Sequence, residues 1–185
     1  YLREPNTYND DITFELAFLD AFGKKGYQVT SLDVALSWVG LIPCGWSAEE
    51  LAIRNIKNGI FPPESGIYCN PFNEWIGAQM RAGICGMAAA RLAWTDGEVS
   101  HANNGILGEV FNAVMTSLAF VDADVSSIVS RAMDMIPKDS EYYSVIRFAW
   151  DCCQSLPTWQ EALSKCREKY KKYNWIHAYP NACCE

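Results

Sequence analysis

Residues 103–120 read NNGILGEVFNAVMTSLAF, with Ile106, Val110, Val114 and Leu118 four apart and no proline among them. An apolar residue every fourth position draws one stripe along a long helix. This stretch decides the fold, because the same period recurs on both sides of it while strand-type alternation is missing; the chain is predicted to be all-α. Ile12, Leu16 and Leu19 fall on one helical face, with Gly23 to Gly26 as the stop. Ser31 is expected to cap a segment through Leu32, Ala35, Leu36 and Val39, which Gly40 and Pro43 break. In Ser47-Ala48-Glu49-Glu50 the spacing suits a capping box, Ser47 accepting from the Glu50 amide and Glu50 reaching back to the Ser47 amide. That helix should end at Gly59. Pro62 and Pro63 mark a surface connection from Ile60 to Gly66, and a turn at Asn70-Pro71 precedes a helical run expected from about Phe72 to Met87. Thr158-Trp159-Gln160-Glu161 repeats the capping-box spacing and opens a helix whose tail, Arg167 to Lys172, is basic, as the helix dipole favours. Asn181 to Glu185 is read as part of a helix packed in the core.

Half of the 185 residues are apolar, enough for one buried core and a single helical domain, 1–185. Lys and Arg number 15 against 22 Asp and Glu, a net charge of −7, which argues against a nucleic-acid or anionic-membrane partner held by bulk charge. Eight cysteines are present, none in a C-x-x-C pair, so reduced thiols and a cytoplasmic location are the expectation. Apolar stretches are broken well short of the ~18 residues a membrane span needs, and Tyr1 to Pro5 carries no signal-peptide core.

Three segments carry residues suited to chemistry. Asn9-Asp10-Asp11 stands at a helix start, where neighbouring carboxylates can offer hard oxygen ligands to Mg²⁺ or Ca²⁺; the same residue types also cap helices and complement the dipole. Asn73 to Arg81 combines a glycine, an amide and a guanidinium. There Gly77 can let backbone approach a ligand and Arg81 can grip an anion, or Gly77 and Gly83 can serve a tight helix crossing with Arg81 in a surface ion pair. Ser100-His101-Ala102-Asn103-Asn104-Gly105 precedes the long helix. With His177 the only other histidine, a multi-histidine zinc site is excluded, and His101 reads as either a functional or a structural hydrogen-bonding group. Nucleophile-elbow and phosphate-loop patterns are absent, and the scattered aromatics are read as core.

In content and in order, these segments resemble the ADP-ribosylglycohydrolase family, the enzymes related to the dinitrogenase-reductase-activating glycohydrolase. Asn9-Asp10-Asp11-Ile12 is similar to the family's early acidic motif, Trp75-Ile76-Gly77-Ala78-Gln79-Met80-Arg81 to its central glycine motif, and Ser100 to Glu109 to its Ser/Thr-His segment. The resemblance implies an all-α orthogonal multi-helix bundle with a two-ion Mg²⁺ site, Mn²⁺ being an alternative. Asp10 and Asp11 would be catalytic metal ligands with Asn9 beside them, and Trp75, Gly77, Gln79, Arg81, His101 and Asn104 would bind substrate. The reaction implied is hydrolysis of the N- or O-glycosidic bond joining ADP-ribose to a protein side chain or small acceptor. Family chains carry further metal-ligand motifs at both ends, so the sequence is expected to be an incomplete version of a longer domain. A non-catalytic relative binding a nucleotide or protein partner, and a helical module that self-associates, are the competing readings.

Overall fold

The computed structural model describes residues 9–82 and 89–184. Gly83, Cys85, the Met87 end of the expected helical run, Tyr1 to Pro5 and Glu185 lie outside them. Among the described residues every regular element is helical: α1 (Asp10–Lys25), a 3-10 turn (Gly26–Gln28), α2 (Ser31–Leu41), α3 (Ser47–Lys57), α4 (Glu64–Ile67), α5 (Gly77–Met80), α6 (Ala89–Gly97), α7 (Asn103–Ala119), α8 (Val125–Met133), α9 (Glu141–Ser155), α10 (Trp159–Tyr170) and α11 (Ala178–Ala182). The all-α expectation holds. None of these helices is long and apolar enough to cross a membrane.

The centre of the bundle is α7, which packs against α5, α6, α8, α9 and α11. Its stripe is buried at Ile106, Val110 and Val114, each such side chain contributing about 1.5–3 kcal/mol on leaving water. Two glycines on its opening turns bring other segments close. A Cβ on Gly105 would overlap the Asn73 carbonyl oxygen, and one on Gly108 would stand 2.8 Å from Gln79 Oε1. The segment carrying Gly77 therefore lies directly on α7. Around this centre α1, α2 and α3 pack in succession on one side, and α9, α10 and α11 on the other.

Several local expectations shift. On α1 the buried face is Phe14, Ala17, Phe18 and Ala21, whereas Ile12, Leu16 and Leu19 are 55%, 59% and 43% exposed. Both stripes have helical spacing, and the core took the one with two phenylalanines. Thr30, not Ser31, caps α2, in a reciprocal box with Asp33. At α3 the cap is Trp46, without a side-chain hydrogen bond, and the Glu50 carboxylate instead accepts from Gly45 N at 3.1 Å. Ser47, the expected cap, sits at φ 37°. The run expected from Phe72 turns through residue 76 and becomes helix only at Gly77. Thr158 does cap α10, accepting from Glu161 N. Trp46, Trp94, Trp159 and Trp175 are exposed while Trp38 is wholly buried, so the aromatics are core only in part.

Candidate functional site

The opening turn of α1 is set by Asn9, whose Oδ1 accepts from Ile12 N at 3.0 Å. That cap aims the next two residues at a cleft lined by Asp10, Asp11, Phe14, Trp46, Glu49, Gly77, Met80 and Arg81. Two of the three segments singled out in the sequence thus meet, and α3 joins them through Glu49. Burial and the neighbouring Asp10 charge raise the Asp11 carboxyl above its ordinary range, and Asp11 Oδ1 is buried with no hydrogen-bond partner. Gly77 is required here: a Cβ would overlap Glu49 Oε1 and lie 2.8 Å from its Cδ.

Arg81 is the hub behind the cleft. Its Nε donates to Asp96 Oδ2, Nη1 to Glu49 Oε1 at 3.1 Å, and Nη2 to Ser100 Oγ at 3.1 Å and to the Asp96 carbonyl at 3.3 Å. Glu109 Oε2 lies 3.9 Å from Nη2. The guanidinium also faces the Trp38 ring at 4.9 Å, a favourable cation–π placement once water is excluded. Neither sequence reading of Arg81 describes this: the side chain is buried, and its donors are engaged within the protein. Burial works against its charge, but Asp96, Glu109 and Glu49 outweigh that and hold its pKa above normal.

One cation faces three acids, and burial makes a second uncompensated negative charge costly. Glu109 relieves this: burial and then the adjacent Asp96 push its carboxyl well above the usual range, and neither of its oxygens has a hydrogen-bond partner among the described residues. Glu49 is pushed up to about 7, chiefly by burial, with Arg81 pulling the other way. The cluster therefore carries less negative charge at neutral pH than three ionised carboxylates would.

His101 is buried within this network. Ser100 Oγ accepts from Arg81 at 3.1 Å and lies within hydrogen-bond distance, 2.7 Å, of His101 Nδ1. Nε2 stands 4.0 Å from Glu49 Oε1. Burial and the Arg81 charge keep the imidazole neutral, its pKa well below normal. The backbone around it is fixed by Ala102 N donating to Asn73 O at 2.9 Å and by Asn70 Nδ2 donating to Ser100 O at 2.9 Å; Gly66 leaves no room for a Cβ against His101 O, 2.7 Å away.

The other expected binding residues lie around this centre. Gln79 is buried against Gly108. Asn104 donates to Glu74 Oε1 at 3.3 Å and accepts from Tyr142 N at 3.0 Å, so it ties α7 to α9. Trp75 pairs with the Phe72 ring at 4.5 Å and with His177 in an isolated antiparallel bridge; the tryptophan lining the cleft is Trp46. Glu49, Asp96 and Glu109 were not read as site residues. The signal for Glu109 was an acid next to the apolar stripe of α7, flanked by Gly108 and Val110. Glu49 carries no signal of its own in the sequence, since the capping-box spacing pairs Ser47 with Glu50.

A hard divalent cation fits Asp10 and Asp11 in that Asp11 Oδ1 is buried without a partner and both groups are oxygen donors. Asn9 Oδ1 is engaged in the cap. Among the described residues no three His, Cys, Asp or Glu side chains converge as a metal ligand set, so the pair can supply only part of a coordination shell. Compared with known proteins, the chain matches the family described as ADP-ribosylglycohydrolase over residues 2–184. No curated protein and no solved structure matches it.

Proposed function

From the premise that the chain belongs to the ADP-ribosylglycohydrolase family, we propose that it hydrolyses the N- or O-glycosidic bond between ADP-ribose and a protein side chain or small acceptor, with Mg²⁺ as cofactor. Family membership supports a glycohydrolase in general; the observation that carries the finer reading is the Asp10–Asp11 pair at the cleft mouth, with one buried carboxylate oxygen left unpartnered. Asp10 and Asp11 would hold the ion, which when bound lowers the pKa of a coordinated water and orients ribose hydroxyls.

The chain's own groups account for the rest of the arrangement. Hydrolysis breaks the bond from the anomeric carbon to the leaving nitrogen or oxygen and forms one to water oxygen; the water proton ends on the leaving group. Positive charge that builds on the ribose during this exchange is offset by carboxylates already fixed at the cleft. Asn9 holds the turn bearing Asp10 and Asp11. Arg81 holds Glu49 from behind, and Gly77 brings bare backbone to the cleft wall.

The test is release of ADP-ribose from an ADP-ribosylated protein by wild type, Asp10→Ala and Asp11→Ala, with Mg²⁺ and with a chelator. Loss of several kcal/mol of charge stabilisation predicts a fall on the order of 100-fold in each variant. Equal rates in all three proteins would sink the assignment.

A further inference from the structure

The enclosed part of the cleft is only about 10 Å³, roughly the room of one water. A ligand therefore lies across the mouth, where Trp46 and Met80 are 59% and 41% exposed. Trp46 does not hang there loosely. Its carbonyl accepts from Glu49 N at 3.0 Å and from Glu50 N at 3.2 Å, and the preceding residue, Gly45, donates to Glu50 Oε2 at 3.1 Å. A Cβ on Gly45 would stand 2.7 Å from Glu50 N. Ser47, on the other side, holds a left-handed φ of 37°, a conformation that costs a non-glycine residue free energy and is kept where surroundings over-determine it. Two tight backbone positions thus flank an indole presented to solvent beside two carboxylates.

On the glycohydrolase reading we infer that the Trp46 indole is the platform on which the flat purine base of the nucleotide ligand stacks. The charges at the mouth favour this assignment. Asp10, Asp11 and Glu49 line the cleft, Arg81 is engaged behind them, and the whole chain carries −7; a diphosphate finds no free cation among these groups. Stacking on an indole face is attraction that does not depend on charge and tolerates any base. It places the base on the exposed rim and leaves the carboxylates to the sugar.

Calorimetry in Mg²⁺ buffer with ADP-ribose, AMP and ribose 5-phosphate, on wild type, Trp46→Phe and Trp46→Ala, tests this. Because the indole is largely exposed, both variants should fold, which circular dichroism checks. The expected result is about 10-fold weaker ADP-ribose and AMP binding by Trp46→Ala, near wild-type binding by Trp46→Phe, and no change for ribose 5-phosphate, which lacks the base. Unchanged AMP binding by Trp46→Ala, an equal loss for ribose 5-phosphate, or no AMP binding by wild type would each overturn the inference. If Trp46→Ala binds as wild type does while ADP-ribose is still released from modified protein, the stacking inference falls alone. If wild type neither binds nor hydrolyses, both fall.

Discussion

Gly77 and Glu49 show how single positions constrain the cleft. A methyl group at Gly77 would overlap the Glu49 carboxylate, so Gly77→Ala should cost about 1–3 kcal/mol, as overpacked sites do. Combined with Glu49→Ala it should cost less than the sum of the two single changes, since the clash partner is gone; a double-mutant cycle in urea measures the difference. Glu49 also predicts a pH effect. Its carboxyl rises from 4.5 to about 7 on folding, burial outweighing Arg81, so the folded state binds this proton more tightly than the unfolded chain. The associated stability is complete below about pH 4.5 and is lost as pH rises through about 7, at no more than about 1.4 kcal/mol per pH unit. Glu49→Gln, which keeps an acceptor for Arg81, should flatten that decline. Urea midpoints at about pH 5 and about pH 7.5 decide it, and an undiminished slope in the variant would contradict the assignment. None of this was legible in the sequence, where the capping spacing draws attention to the neighbouring Glu50 and the partner of Glu49, Arg81, lies 32 positions away.

Helices were legible where one signal dominated. The four-residue repeat of α7 and the Thr158 cap of α10 both appear as read. Where two signals competed, the sequence was ambiguous: α1 has two apolar stripes, and only packing against α2 selects Phe14 and Phe18 over Leu16 and Leu19. Phe18→Ala should therefore cost about 3–5 kcal/mol, while Leu16→Lys should stay within about 0.5 kcal/mol; similar costs for both would mean that α1 is rotated from the orientation described. Thr30 illustrates a one-residue ambiguity, since Thr30 and Ser31 are both competent caps and the Asp33 partner chooses between them. Thr30→Ala should lower stability by about 1 kcal/mol in thermal melts and Ser31→Ala by less.

Across the whole molecule, the meeting of distant segments was the least legible feature, because periodicity and caps describe only neighbours along the chain. Family resemblance carried the link between the Asp10–Asp11 pair and the Gly77 segment; nothing carried the buried acids around Arg81 or the bond between residues 74–76 and 176–178. That bond comprises Ile76 N to Ile176 O at 2.9 Å and Ala178 N to Glu74 O at 3.0 Å. It is held by Tyr179, whose hydroxyl donates to Glu141 Oε2 at 2.5 Å. Tyr179→Phe should cost about 1.5–3 kcal/mol, as loss of a bond to a charged group does, and should speed amide exchange at Ile76 and Ala178 ahead of amides in α2. Uniform acceleration everywhere would show that the contact only adds to global stability.

The same pairing has a temporal consequence. Its two halves are separated by about a hundred residues of chain, a loop whose closure is entropically expensive and comes late. During ribosomal synthesis, Gly77 would have left the exit tunnel well before its neighbours at 176–178 were even translated. A nascent chain therefore passes through an interval in which the first helices and α7 can assemble while the strip that walls the cleft still lacks its bonds to residues 176–178.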